Sequence, residues 1–247
     1  MKTTIVAEIG SNWEGSISKA KKIIKECKLA GADAVKFQMW RASDLYSKKH
    51  PNWHEIIKSE LSFEQARKIK EYSDSIGIEF FCSAFYPEAV DFLHSIKVKR
   101  FKVASRTCVI KDVHSKQTLI KKALTGKPII VSMGMGGELK TIKNIFSKNP
   151  TTFCYCVSEY PLKLSKINWK NALKYDGFSD HTLGISAPII FTILKNQMNS
   201  KSIIIEKHVK LKNSKGPDAE TSIDTEELKE MSNQIRIFEK YNFFFKK

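Results

Sequence analysis

Arginine is scarce in this chain. Among 42 basic residues only five are arginines, Arg41, Arg67, Arg100, Arg106 and Arg236, so the formal charge of +16 rests on lysine. The guanidinium fork is the group that reads phosphates and base edges through paired hydrogen bonds, and no recognised nucleic-acid motif accompanies the charge, so no nucleic-acid partner is expected. Lysine runs such as Lys19, Lys21, Lys22 and Lys25 fall on predicted helices as solvated faces, and a basic surface would draw in small anionic substrates. Cysteine is sparse as well. Cys27, Cys82, Cys108, Cys154 and Cys156 are odd in number and lack paired zinc-ligand spacing, while Cys154 and Cys156 share one face of a predicted strand. A reduced, cytoplasmic protein is the expectation. No apolar run approaches the roughly 20 residues needed to span a bilayer, and the N-terminus enters a strand without a signal-peptide core, so no membrane association is expected. The sequence shows no internal repeat, low-complexity tract or second domain, and its 247 residues suffice for one large core.

Eight apolar segments read as buried strands, at 4–9, 33–38, 78–84, 100–105, 128–133, 152–157, 177–181 and 203–209. Helical patterns separate them at 18–30, 62–76, 87–95, 111–124, 138–147, 165–173 and 184–198, and an eighth follows at 225–241. The first helix has the clearest pattern: Ser18 as its expected N-cap, Ala20, Ile23, Ile24 and Cys27 on one face, and Gly31 as its stop. Such alternation predicts an α/β protein, a (β/α)8 TIM barrel forming a single domain over 1–247. The longest connection, 40–60 with Pro51, Trp53 and His54, would sit over the barrel mouth. The tail at 241–247 is too short to pack by itself.

In such a barrel the chemistry gathers at the C-terminal strand ends. The polar residues there are Glu8, Lys36 with Gln38, Ser83, Lys102 with Ser105, Ser132, Ser158, Ser179 with His181, and Glu206 with His208. Alternation along a strand puts the paired ones on common faces. Two neighbouring strands end in histidine, and their ends would lie roughly 5 Å apart, so His181 and His208 are candidate ligands of one divalent cation; the alternative is two unconnected polar residues. Buried lysine is costly unless it meets an anion, so Lys36 and Lys102 imply either an anionic ligand or ion pairs to carboxylates such as Glu8 and Glu206.

These residues lie in stretches that resemble the sialic acid synthase family of phosphoenolpyruvate-condensing barrels. The matching stretches are AEIGSNWEGS at 7–16, GADAVKFQ at 31–38, FKVAS at 101–105, KPIIVSMGM at 127–135, CVSEYP at 156–161, GFSDHTLG at 177–184, IEKHV at 205–209 and GPD at 216–218. The resemblance implies condensation of phosphoenolpyruvate with an N-acylated hexosamine aldose, giving a nonulosonic, sialic-acid-like acid and phosphate. It implies that Lys36, Ser83, Lys102, Ser105, Ser158 and Ser179 hold phosphoenolpyruvate, that Gln38, Tyr160 and Asp218 touch the sugar, and that Glu8 serves as acid/base. Lys36, Lys102 and His181 would join Glu8 in catalysis. His181 and His208 would bind manganese or magnesium.

The chain also departs from the family pattern. Trp13 stands where a histidine is usual, Thr107 where sialic acid synthases proper carry a sugar-contacting glutamate, and Ser158 where those enzymes have asparagine. The family's C-terminal antifreeze-like domain, which gives the partner subunit an arginine, is not found in the 247 residues. A homodimer is expected, and a separate lid protein is one way to close the mouth. Two alternatives to the condensing enzyme are a non-catalytic barrel that binds an anionic sugar and a synthase of a shorter 3-deoxy sugar acid.

Overall fold

The computed structural model describes residues 2–198, 200 and 202–241; the 242–247 part of the aromatic tail lies outside the described residues. Strands β1 (Thr3–Glu8), β2 (Ala34–Met39), β3 (Glu79–Ala84), β4 (Phe101–Val103), β5 (Ile129–Ser132), β6 (Thr151–Cys156), β7 (Gly177–Asp180) and β8 (Ile203–Lys210) pair in parallel and in chain order. Strand β8 then pairs with β1, from Thr3 opposite Ile203 to Glu8 opposite His208. That pairing closes the predicted (β/α)8 barrel. A ninth strand, β9 (Ile223–Asp224), adds to the end of β8 at Val209 and Lys210. Two residues of strand carry too little pattern to be seen in sequence.

The helices are α1 (Ile17–Leu29), α2 (Ala42–Leu45), α3 (Trp53–Lys58), α4 (Phe63–Ser75), α5 (Pro87–Ser95), α6 (Ser105–Cys108), α7 (Ser115–Leu124), α8 (Leu139–Ile145), α9 (Trp169–Ala172), α10 (Ser186–Gln197) and α11 (Thr225–Tyr241). Helix α1 buries the expected Ala20, Ile23, Ile24 and Cys27, but its N-cap is Ser16, whose hydroxyl accepts from the Lys19 amide; Ser18 is already inside the first turn. Gly31 follows at φ +89°, the left-handed turn that ends the helix. Helix α4 opens on a capping box in which Ser62 and Gln65 satisfy each other's amides. The connection at 40–60 folds into α2 and α3 around a small core of Trp40, Ala42 and Ile56.

Alternation inside the barrel stacks two layers. Val6, Ala34, Phe81, Ile130, Cys154 and Ile204 form an apolar floor. Two residues further along each strand, on the same face, stand Glu8, Lys36, Ser83, Ser132, Cys156 and Glu206. The main core fills the space between strands and helices, and there Trp13 is fully buried, an apolar element of the β1–α1 junction.

Candidate functional site

The upper layer opens into one cavity of about 370 Å³. Strand β1 brings Glu8 to its wall, β2 brings Lys36 and Gln38, β3 brings Ser83 and β4 brings Lys102, with Ser105 heading α6. Ser158 and Tyr160 follow β6, Ser179 lies on β7 with His181 just beyond it, Glu206 and His208 lie on β8, and Asp218 comes from the loop after β8. Residues distant in sequence meet here because each lies at or just beyond the C-terminal end of its strand.

The two lysines are ion-paired. Lys36 Nζ is 2.7 Å from Glu8 Oε2 and 3.7 Å from Glu206 Oε2, while Lys102 Nζ donates to both oxygens of Glu206 at 2.5 and 2.6 Å. Lys36 also donates to Ser83 Oγ at 3.1 Å, Ser179 Oγ to Glu206 at 2.8 Å, and Gln38 Nε2 to Glu8 at 2.6 Å. Of the two readings open for these lysines, carboxylate pairing is therefore what the protein shows without a ligand. Burial pushes Glu8 up to about 7, against the pull of Lys36 and with help from the Glu206 charge. Burial would raise Glu206 too, but Lys102 and Lys36 outweigh it and hold that carboxyl far below its usual range. Two acids in one site are thus set apart, a protonatable Glu8 and an ionised Glu206.

His181 and His208 face each other with ring centroids 5.6 Å apart. His181 Nδ1 is 2.8 Å from the Val157 carbonyl, which suits an N–H there and leaves Nε2 with a free lone pair. Burial lowers His181 to about 4 and also lowers His208, so both rings are neutral donors near pH 7. His208 Nδ1 is buried without a hydrogen-bond partner. Among the described residues no group of three or more His, Cys, Asp or Glu is arranged to hold an ion. Two neighbouring neutral imidazoles, one with a buried unpartnered nitrogen, are the nitrogen donors this wall offers to a cation.

Asp218 is clipped over β1. Its Oδ2 accepts from the Ser11 amide at 2.8 Å and the Ser11 hydroxyl at 2.7 Å. A Cβ on Gly10, at φ +51°, would sit 2.4 Å from that oxygen, so glycine is needed for the approach.

The wall also holds groups outside the set expected from sequence. Ser132 Oγ is buried and unpartnered, as is Ser158 Oγ, so both hydroxyls are free for a ligand. Ser132 stands among the strand-end polar residues but had no assigned contact. Thr107, the position of the family glutamate, is buried and off the cavity wall, while its neighbour Arg106 lines it. Trp40, Leu45 and Tyr46 reach the wall from the 40–60 connection. Only the position of that connection after β2 could have flagged them.

A family model described as "NeuB family" matches residues 23–243. A Methanocaldococcus jannaschii protein described as uncharacterized is 40% identical over 96% of this chain and 71% of its own length. The N,N'-diacetyllegionaminic acid synthase of Campylobacter jejuni is 33% identical over 97% of this chain and 77% of its length. In three dimensions, the crystal structure of N-acetylneuraminic acid synthetase from Leptospira borgpetersenii superposes with a TM-score of 0.85 at 28% identity, covering 96% of this chain and 84% of the other.

Proposed function

Because the chain belongs to the NeuB family of condensing transferases, we propose that it joins phosphoenolpyruvate to an N-acylated hexosamine aldose, N-acetylmannosamine-like, yielding a nonulosonic acid and phosphate. The observation that carries this reading is the pair of buried lysines surrounded by the Ser83, Ser105, Ser132, Ser158 and Ser179 hydroxyls opposite two neutral histidines. Two ammonium groups and a ring of short donors suit an anion bearing both phosphate and carboxylate.

In this reading phosphoenolpyruvate draws Lys36 and Lys102 partly away from Glu8 and Glu206. A divalent ion, manganese or magnesium, held by His181 and His208, would supply polarisation of the aldehyde oxygen. Carbon 3 of phosphoenolpyruvate attacks the aldehyde carbon, and Glu8, whose carboxyl holds its proton up to about 7, gives that proton to the forming alkoxide. Water adds to the cationic carbon 2, losing a proton to the Glu8 carboxylate. The hemiketal phosphate then breaks its carbon–oxygen bond to release phosphate. The lysines balance phosphate and carboxylate charge throughout. Gln38, Tyr160 and Asp218 face the sugar. Trp40, Leu45 and Tyr46 exclude bulk water from one side, and a second copy of the chain or a separate lid protein would complete the cover.

The test is phosphate release from phosphoenolpyruvate with manganese and a panel of N-acylated hexosamines, each with and without a 6-phosphate. Release that depends on one acceptor is expected. Absence of release with every acceptor, while phosphoenolpyruvate still binds in calorimetry, would identify a non-catalytic anion-binding barrel instead.

A further inference from the structure

Five lysines are buried in the described barrel: Lys36, Lys102, Lys122, Lys195 and Lys207. Lys36 and Lys102 meet Glu8 and Glu206, Lys195 meets Asp176 at 3.1 Å, and Lys207 meets Asp180 at 2.6 Å. Lys122 is the exception among the described residues, since no carboxylate lies within ion-pair distance of it. It sits on α7, is wholly inaccessible to solvent, and is not on the cavity wall. Its amine donates to two backbone carbonyls, Ala84 O and Lys102 O, each at 2.8 Å.

The location explains those partners. Strands β3 and β4 are joined by one register pair, Ser83 opposite Lys102, whereas β2 and β3 share six from Ala34 to Met39. Lys122 Nζ bridges the two strands at this thin junction, donating to one carbonyl from each. One helical turn earlier, Thr118 Oγ1 donates to the His114 carbonyl of its own turn at 2.7 Å and lies 3.3 Å from the Phe85 carbonyl, so Lys122 supplies the full hydrogen bond from this face of α7 to the end of β3. A neutral amine has two N–H groups, which two carbonyls satisfy; a buried ammonium would keep a third proton and an uncompensated charge.

We infer that Lys122 is a positioning residue, tying β3 to β4 from behind so that the Ser83 hydroxyl and the Lys102 ammonium keep the spacing the substrate anion needs. The inference rests on the proposed phosphoenolpyruvate site for its substrate, but the clamp itself is geometric. Lys122 acts through Lys102 and Ser83 and touches no reacting atom. Burial lowers its amine to about 7, in keeping with a lysine that hydrogen-bonds as a neutral group.

The experiment compares Lys122→Met, which keeps the aliphatic stem without donors, Lys122→Gln, which restores two N–H groups, and Leu119→Ala, a core truncation on the same helix. Phosphoenolpyruvate affinity is read by calorimetry, melting temperature by thermal unfolding, and amide exchange by mass spectrometry. Lys122→Met is expected to weaken phosphoenolpyruvate binding at least tenfold and to speed exchange at the ends of β3 and β4. Lys122→Gln should recover part of the affinity, while Leu119→Ala lowers the melting temperature without changing it. Unchanged affinity in Lys122→Met overturns the inference, as does failure of both Lys122 variants to fold, since the amine then holds up the barrel rather than its ligand contacts. If the wild-type protein does not bind phosphoenolpyruvate, the proposed function fails first. Exchange confined to β3 and β4 in Lys122→Met would then uphold the clamp, and exchange spread over the whole barrel would reject it.

Discussion

Lys102 and Glu206 face each other from β4 and β8, the ammonium 2.5 and 2.6 Å from the two carboxylate oxygens, both side chains almost wholly buried. Glu206 thereby lies between Lys102 and Lys36, the position proposed above for the substrate anion. Removing one member of a buried pair leaves the other charge uncompensated, a loss of roughly 3 to 5 kcal/mol. Glu206→Gln is therefore expected to melt markedly earlier than wild type when free, and to gain more from added phosphoenolpyruvate than wild type does. Thermal unfolding with and without phosphoenolpyruvate measures both effects. Equal ligand-induced shifts in the two proteins would show that Glu206 and the ligand do not share those lysines.

The imidazole pair makes a second prediction. His181→Ala and His208→Ala should each lower turnover by about a hundredfold or more with modest loss of fold, because each removes one of two protein donors from the same site. Manganese titration by calorimetry provides the independent reading, and near-normal manganese affinity in either variant would remove that histidine from the metal site.

Lys122 also predicts a pH dependence with a defined sign. The unfolded lysine keeps its proton to about 10.5, while the folded amine releases it near 7. Between those values the unfolded chain binds the extra proton, so the folded state gains stability as pH rises; below 7 both forms are protonated and the penalty of burying the charge is complete. The titratable groups whose charge acts on the amine are Cys108, Lys36, Lys102 and Cys82. Between pH 7 and 8.5 the stability difference between wild type and Lys122→Met should change by up to ~1.4 kcal/mol per pH unit in favour of wild type. Denaturant unfolding at several pH values measures this, and a flat difference would mean that Lys122 stays charged in the fold.

The barrel was legible because burial on both faces makes each parallel strand a short apolar run, and because alternation puts Glu8, Lys36, Ser83 and Glu206 at one height. What escaped was set by tertiary placement. Lys122 sits in the lysine pair Lys121 and Lys122, where nothing local separates the side chain exposed beside Asp91 from the one buried behind β3. Ser16 and Ser18 are equally good caps by residue type, and only the start of helical backbone at Ile17 selects the first. The carboxylate partners of Lys36 and Lys102 were foreseen as one of two readings, since spacing cannot say whether a ligand or a glutamate supplies the anion. Thr107 holds the position that the family pattern marks, and nothing in the sequence separates the cavity-lining Arg106 beside it from other surface arginines.

Arg106 supplies the last prediction, which concerns how the mouth is covered. Its guanidinium holds Asp112 through two bonds, 2.8 and 2.9 Å, and donates to the Leu45 carbonyl at 3.0 Å. It also lies 5.7 Å from the centre of the Tyr46 ring, which itself meets Trp40 edge-on at 6.3 Å. Helix α6 thus anchors the 40–60 connection at the residues that line the cavity. Arg106→Gln cannot keep both the fork to Asp112 and the bond to Leu45, so the connection should loosen where it meets the sugar side of the pocket. The expected result is a rise of about tenfold in KM for the acceptor sugar, with the affinity for phosphoenolpyruvate, which the proposed function places deeper at Lys36 and Lys102, within about twofold of wild type. Amide exchange over 40–60 should quicken in the same variant. Unchanged exchange there together with an unchanged acceptor KM would show that the connection keeps its place without Arg106, and would leave Trp40 packing on Ala42 and Ile56 as the force that holds it down.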